Sequence, residues 1–334
     1  MNDLQQFKPA FGLKNRHLQT LFASLFKKIS LTDFAIETFI LSDGDFVECY
    51  WQKINHHQEN TPIAILFHGL AGSYKSPYIQ STMKELKEAE FSSVLMHFRG
   101  CSGKQNLKPK SYHSGDTQDA YEYISSIKKR YPQAKIFAVG FSLGANMLLK
   151  LLGEKKDKCQ LNAAIGVSAP LQLDVCSSYM NKGFSKFYQK LLLKDLKKDL
   201  DKKYDHFEME ELLHVKRNDI KELNTFWVFD DAYTAPIHGF TSAQDYYTKS
   251  SAKQFLKDIQ IPTLIIHAKD DPFMPLQIIP NQNEVSQAVT LQISEYGGHV
   301  GFISGSFFAP KYWLPMRVVE FLNTFLEKEF QEKT

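Results

Sequence analysis

The chain is poor in cysteine. Cys49, Cys101, Cys159 and Cys176 are all it has, no two form a C-x-x-C pair, and no zinc-type spacing links them. That argues against a disulfide framework or a structural zinc site, and free thiols in a reducing compartment are expected. A surplus of one charge is missing as well: 40 basic side chains stand against 37 acidic ones, a net charge of +3. A balance this even does not point to nucleic acid as a partner, and any basic patch must be local. No apolar run reaches the roughly 18 residues of a membrane span. Residues 1–17, MNDLQQFKPAFGLKNRH, carry polar and charged side chains where a secretory leader is continuously apolar. A cytoplasmic protein of a bacterium or similar cell is the expectation. H-E-x-x-H, G-x-x-x-x-G-K and the dinucleotide glycine pattern are missing, so neither a metal nor a nucleotide cofactor is expected. Internal repeats and low-complexity tracts are missing too.

What is there points to one α/β folding unit with an insertion: 334 residues, 43% of them hydrophobic, can bury a large core. Two β-rich stretches, FAIETFIL (34–41) and DFVECYW (45–51), flank Ser42-Asp43-Gly44, which reads as a hairpin turn, so the sheet begins antiparallel. From residue 62 short apolar strands alternate with helical segments: AILFHG, a helix over 77–90, SSVLMHFRG, a helix over 115–130, KIFAVG, a helix from 143, and AAIGVSAP. Near-continuous apolar strands in alternation with helices predict a parallel sheet covered on both faces. TLIIHAKDD (263–271), VTLQISEYGG (289–298) and a helix near 315–328 close the chain.

About ninety residues without a clear strand separate AAIGVSAP from TLIIHAKDD, more than a simple crossover needs, and predict a helical cap over the C-terminal edge of the sheet. Within it Phe184, Phe187, Tyr188, Leu191, Leu192, Leu196 and Leu200 recur at helical spacing, with lysines mostly elsewhere on the wheel. The simpler expectation is an apolar stripe packed on the body. The same pattern leaves open a basic amphipathic surface in weak contact with a membrane or a fatty substrate.

The most informative run is KIFAVGFSLGANMLLKLLG (135–153), where an apolar strand passes through Gly140-Phe141-Ser142-Leu143-Gly144 into a helix with no loop between. A serine hydroxyl is a poor nucleophile at neutral pH. Held at a strand end, it can be met by a histidine that takes its proton. Gly140 and Gly144 are expected where strand and helix pass too closely for a side chain. A histidine and an orienting carboxylate should then follow in later loops. Of eleven histidines only His299, in Tyr296-Gly297-Gly298-His299 after the final strand, has that placement. For the acid, TLIIHAKDDPFMP ends a strand with two adjacent aspartates. Asp271 is preferred, with Asp270 and Asp174 as alternatives. The N–H groups of Leu143, at the helix N-terminus, and of Leu70, in the loop His68–Ser73, are expected to form an oxyanion hole. His68 precedes the serine and is read as a brace for that loop.

The stretches NRHLQTLF (15–22), FHGLAGS (67–73), HFRGCSG (97–103), YHSGDTQD (112–119), GFSLGAN (140–146), FDDAYTAPIHGF (229–240), AKDDPF (268–273) and YGGHVGF (296–302) resemble the α/β-hydrolase superfamily. Within it they resemble the YheT-like branch, which also holds plant embryogenesis-associated proteins, ABHD-type lipases and yeast ethyl-ester synthases. The resemblance implies an α/β-hydrolase fold, and with the strand-free stretch above the expected organisation is a single domain over 1–334 with a cap insertion at about 172–255. It implies Ser142, Asp271 and His299 as a charge-relay set acting on short to medium-chain acyl esters. The expected partner is a small-molecule ester with an apolar acyl group. Acyl transfer to an alcohol and a non-catalytic scaffold are the rival readings, and the oligomeric state is open. Four further features are expected to be structural. Arg99-Gly100-Cys101 ends a strand, Asp116 caps a helix, His113 and Asp119 accompany it, and Asp230-Asp231 pin the cap through Arg or Lys.

Overall fold

Runs apolar enough to bury both faces become the central strands. The computed structural model describes residues 6–26 and 31–331. Its strands are β1 (Ala35–Ile40), β2 (Phe46–Gln52), β3 (Ile63–Phe67), β4 (Ser92–Met96), β5 (Ile136–Phe141), β6 (Ala163–Val167), β7 (Thr263–Ala268) and β8 (Val289–Ser294). They form one sheet in the order β1-β2-β4-β3-β5-β6-β7-β8. β1 pairs antiparallel with β2 and β2 antiparallel with β4, while every later pairing is parallel. Every residue of β3 through β7 is buried, whereas β1 at the edge carries no buried residue.

Alternation along the strands divides the core. Ile63, Ile65 and Phe67 of β3, with Val94 and Met96 of β4, join one cluster, and Ala64, Leu66 and Leu95 join the other. The first face is covered by α3 (Thr117–Arg130) and α4 (Leu143–Lys155), through Tyr123, Ile124, Ile127, Met147, Leu148 and Leu152. The second is covered by α2 (Pro77–Glu88) and α11 (Trp313–Gln331), through Ile79, Met83, Leu86, Leu314, Val318 and Leu322. α2 starts with proline at its first position, where the missing N–H costs nothing. α4 is buried from Leu143 to Gly153, as a helix apolar on every side must be.

Between β6 and β7 lie α5 (Leu173–Met180), α6 (Ser185–Lys203), α7 (Met209–Leu213), α8 (Phe226–Phe229), α9 (Ala235–Ile237) and α10 (Ala243–Ser250). The apolar stripe of α6 does not pack as one face. Tyr188 and Leu200 are buried and Leu192 and Leu196 line a cavity, but Phe184, Phe187 and Leu191 are about half exposed. Two elements have no counterpart in the strand and helix reading: α1 (Arg16–Phe26), and a hairpin of β9 (Ile303–Gly305) with β10 (Pro310–Tyr312). No described helix is long and apolar enough to cross a membrane.

Candidate active site

The parallel strands β3, β5, β6, β7 and β8 all end on one edge of the sheet, where their following loops converge. Ser142 stands at the end of β5 with φ 52° and ψ −118°, a backbone conformation that costs a non-glycine residue on the order of 1–3 kcal/mol. Its own N–H is secured by the carbonyl of Val167 at 2.8 Å. The flanking glycines are needed for two different close approaches. A Cβ on Gly140 would lie 2.5 Å from the carbonyl oxygen of Gly144 and 2.7 Å from Cα of Ala145, in α4. A Cβ on Gly144 would lie 2.5 Å from the carbonyl oxygen of His68 and 2.6 Å from that of Phe67, so this glycine seats α4 against β3 rather than β5.

The loop after β8 brings His299 to this edge. Its Nε2 lies 2.9 Å from Ser142 Oγ and its Nδ1 lies 2.8 Å from Oδ2 of Asp271, which is 1% exposed. Asp271 Oδ1 also accepts the N–H of Phe273 at 2.8 Å. The Phe273 ring stacks on the imidazole, with centroids 4.1 Å apart and planes 10° apart. The two neighbouring aspartates have separate partners: Asp270 Oδ1 accepts the N–H of Gly298 at 2.9 Å and holds the loop that carries His299. Burial raises the Asp270 pKa above its ordinary value. Asp174 lies in the first turn of α5, and no hydrogen bond joins it to His299.

The residues that hold this loop come mostly from α1, whose motif NRHLQTLF carried no assigned role. Thr20 Oγ1 accepts the His299 N–H at 2.9 Å and donates to the Arg16 carbonyl at 2.8 Å. Gln19 accepts the Ile303 N–H at 2.7 Å and donates to the carbonyls of Leu13 and Ile303. Gly298 and Gly301 lie so close to α1 that a Cβ on either would strike the backbone of Arg16 or Gln19. From β6, Ser168 Oγ accepts the N–H of Val300 at 3.2 Å.

The loop after β3 lies beside Ser142, where a Cβ on Gly69 would be 3.1 Å from Ser142 Cβ. The hydroxyls of Tyr78 and Tyr112 accept the N–H groups of Gly69 and Ala71. Among the described residues neither the Leu70 nor the Leu143 N–H has an acceptor within the protein, and both residues line the cavity that Ser142 opens into. His68 is fully buried. Its Nε2 accepts the Phe98 N–H at 3.1 Å, so Nδ1 carries the proton and donates to the Gly69 carbonyl at 2.7 Å. Burial, with His97 nearby, lowers its pKa to about 3, which keeps it a neutral brace. The cavity measures about 550 Å³, within the usual range of small-molecule sites, about 300–1,000 Å³. Leu173, Met180, Leu192, Leu196, Phe226 and Phe229 supply apolar wall.

The other motif residues build structure, partly by unexpected means. Arg99, 3% exposed, donates to both oxygens of Asp119 at 2.6 and 2.7 Å, to Asp43 at 2.8 Å and to Asp45 at 3.0 Å. Asp116 occupies the N-cap position of α3, yet its side chain makes no capping bond. Asp230 and Asp231 are held by uncharged donors, not by Arg or Lys. Thr234 and Tyr247 donate hydroxyls to Asp230 at 2.6 and 2.7 Å, and the Ala243 N–H reaches Asp231 at 2.8 Å. Burial pushes Cys101 up to about 12, which makes it a poor nucleophile. His113, Asp116 and His238 each bring a ligand atom within 4.8 Å of the others. Arg99, Lys110, Lys150 and Lys203 act electrostatically on this cluster, and their positive charge opposes a cation there.

The same architecture recurs in known proteins. A family model described as alpha/beta hydrolase fold matches residues 62–306. A protein of Escherichia coli (strain K12) named "Putative esterase YheT" is 41% identical over 96% of this chain and 94% of its own length. The "Monoacylglycerol lipase" of Saccharomyces cerevisiae is 28% identical over 79% of this chain and 59% of its own. Among solved structures, the esterase Pf2001 of Pyrococcus furiosus superposes with a TM-score of 0.58 over 89% of this chain and 91% of that one. At 16% identity this last likeness is one of fold.

Proposed function

This chain belongs to the α/β-hydrolase fold family, and from that premise we propose that it is a serine hydrolase of carboxylic esters, with Ser142, His299 and Asp271 as its catalytic set. The observation that carries the reading is the unbroken line from Ser142 Oγ to His299 Nε2 at 2.9 Å and from His299 Nδ1 to Asp271 Oδ2 at 2.8 Å. The strained Ser142 backbone adds support, since such strain persists where the surrounding structure imposes it and is concentrated at functional sites.

In this mechanism Asp271 accepts the Nδ1 proton of His299, which leaves Nε2 free to take the proton of Ser142 as Oγ attacks the ester carbonyl. The carbonyl oxygen becomes negative and is met by the Leu70 and Leu143 N–H groups, the second aided by the N-terminus of α4. His299 returns the proton to the leaving alcohol, which departs. An acyl group then remains on Ser142. Water, giving its proton to Nε2, attacks the acyl carbon, and Ser142 leaves with that proton restored. The helices between β6 and β7 act as the cap, and their leucines, Met180 and phenylalanines in the cavity wall favour an apolar acyl group over a charged one. The relatives named as esterase and lipase are in keeping with this substrate class.

Kinetics on a series of nitrophenyl esters test the reading. kcat/KM is expected to rise from acetate to octanoate, with a pre-steady-state burst, and to vanish in Ser142→Ala. Equal rates on a short polar ester and on the octanoate would contradict the acyl preference. Full activity in Ser142→Ala would contradict the mechanism. Ethyl ester formed on adding ethanol would show that the same acyl-enzyme also serves alcohol transfer.

A further inference from the structure

One surface is apolar where the proposed chemistry does not need it. Phe184, Phe187 and Leu191 are 52%, 49% and 47% exposed on or beside the outer face of α6, and Leu18 of α1 is 47% exposed. α1 joins them: the ring of His17, next to Leu18, packs on Phe184 at 4.4 Å. Further along α1 Phe22 meets Phe307, and Phe307 touches Phe308, which is 95% exposed at the tip of the β9–β10 hairpin. Exposed apolar groups from three elements therefore gather around one helix.

Charge is arranged beside them. Lys186, Lys190, Lys194 and Lys198 repeat every fourth residue along α6, and all four are exposed. At about 100° per residue, Lys194 and Lys198 fall within roughly 20° of Phe187 and Lys190 within roughly 60°, so the lysines continue the face that carries Phe187 and Leu191. None of the four makes an ion pair among the described residues. Of the two exposed acidic neighbours within the row, Asp199 is taken by Lys202 at 2.7 Å and Asp195 makes no ion pair among the described residues, so four lysines stand against one free carboxylate. A helix that merely faced water would gain by pairing such lysines with carboxylates.

We propose that this face docks on the surface of an anionic phospholipid bilayer. Phe184, Phe187, Leu191 and Leu18 enter the boundary between headgroups and acyl chains, and the lysine row lies over the phosphates. A second copy of the chain fits less well, because a two-fold contact through α6 would set one lysine row against the other. The docked face adjoins the site: Phe184 and Phe187 contact Tyr188, Tyr188 contacts Phe273 at 4.9 Å, and Phe273 stacks on His299. Resting on the esterase reading above, the substrate class becomes acyl esters of membrane lipids, entering the cavity past Tyr188 and Leu192 without crossing bulk water.

The test is sedimentation of the full chain with vesicles of phosphatidylcholine alone or with 30 mol% phosphatidylglycerol, in about 0.1 M and 1 M salt, where the screening length falls from about 10 to 3 Å. Binding is expected only with phosphatidylglycerol and only at low salt. Lys190→Glu with Lys194→Glu should weaken it at least ~25-fold, taking about fivefold per lysine. Phe187→Ser with Leu191→Ser should also weaken it. Both double variants should keep wild-type hydrolysis of a short soluble ester, which shows that they fold, and lose hydrolysis of a long-chain ester carried in the vesicles. Equal binding to both vesicle types, or undiminished binding by both variants, would overturn the proposal. So would a dimer in sedimentation velocity that the lysine reversals dissociate. Ser142→Ala should bind vesicles as the native chain does. Vesicle binding with no hydrolysis of either ester by the native chain would overturn the esterase reading and leave docking in place.

Discussion

The two adjacent aspartates give the sharpest mutational contrast. Asp271 uses both oxygens in a buried place: Oδ2 meets His299 Nδ1 at 2.8 Å and Oδ1 accepts the Phe273 N–H at 2.8 Å. Asp271→Asn has two ways to fit, each with a cost. If its oxygen stays with Phe273, its NH2 donates to His299 Nδ1. The ring proton then moves to Nε2, which can no longer accept from Ser142, a wrong-tautomer effect of about 10⁴ in kcat. If the amide turns over, its NH2 faces the Phe273 N–H donor to donor, and a buried unsatisfied N–H costs about 1–3 kcal/mol, or about 5- to 150-fold when it is borne by site geometry. Asp270→Asn keeps an oxygen for the Gly298 N–H and should change kcat less than about tenfold. Steady-state kinetics on a soluble octanoyl ester, with circular dichroism to check folding, measure both. Equal losses, or a greater loss at Asp270, would refute the assignment of Asp271 to His299.

Three further outcomes are expected. Thr20→Val removes the acceptor of the His299 N–H and should lower kcat by about 5- to 150-fold, with Thr20→Ser restoring it, as measured on the same ester. Arg99→Met leaves Asp43, Asp45 and Asp119 without their shared cation and should destabilise the fold by about 3–5 kcal/mol in urea denaturation. At Asp230 burial, outweighing the hydroxyls of Thr234 and Tyr247, raises the pKa to about 6 from an ordinary value of 3.8. The folded state therefore holds this proton more tightly than the unfolded state, and the stability this gives is full below about pH 4 and lost as pH rises through 6. Asp230→Asn should match the native chain in thermal melts near pH 4 and exceed it near pH 8, by ~2 kcal/mol.

Much of the fold is written locally. Apolar strands alternating with helices, and a serine between Gly140 and Gly144 with no loop, define the parallel sheet and its elbow from neighbouring residues alone. Ser142, Asp271 and His299 could be picked out because each follows a strand end, and those ends meet at one edge. The sequence favours Asp271 over Asp270, but position at a strand end does not by itself separate two adjacent aspartates. Which carboxyl turns toward His299 depends on the backbone direction as β7 ends, and the two residues have the same chemistry.

The bracing of His299 by Thr20 and Gln19 was invisible because it joins residues about 280 positions apart. Asp230 and Asp231 were expected to find cations, the commonest partners of a carboxylate. Instead Asp230 meets the hydroxyls of Thr234 and Tyr247, and Asp231, exposed on the surface, accepts the first N–H of α10, so neutral donors hold both. The stripe on α6 read as one face because periodicity records that residues share a side. It does not record where the supporting surface stops, and Phe184, Phe187 and Leu191 extend past it.

Labelling by a fluorophosphonate followed by peptide mass spectrometry shows whether Ser142 is an activated nucleophile. One phosphonyl group per chain is expected, located on Ser142, absent in Ser142→Ala and formed at least ~100-fold more slowly in His299→Ala. A folded native chain that takes no label, or takes it on another residue, would contradict an activated Ser142.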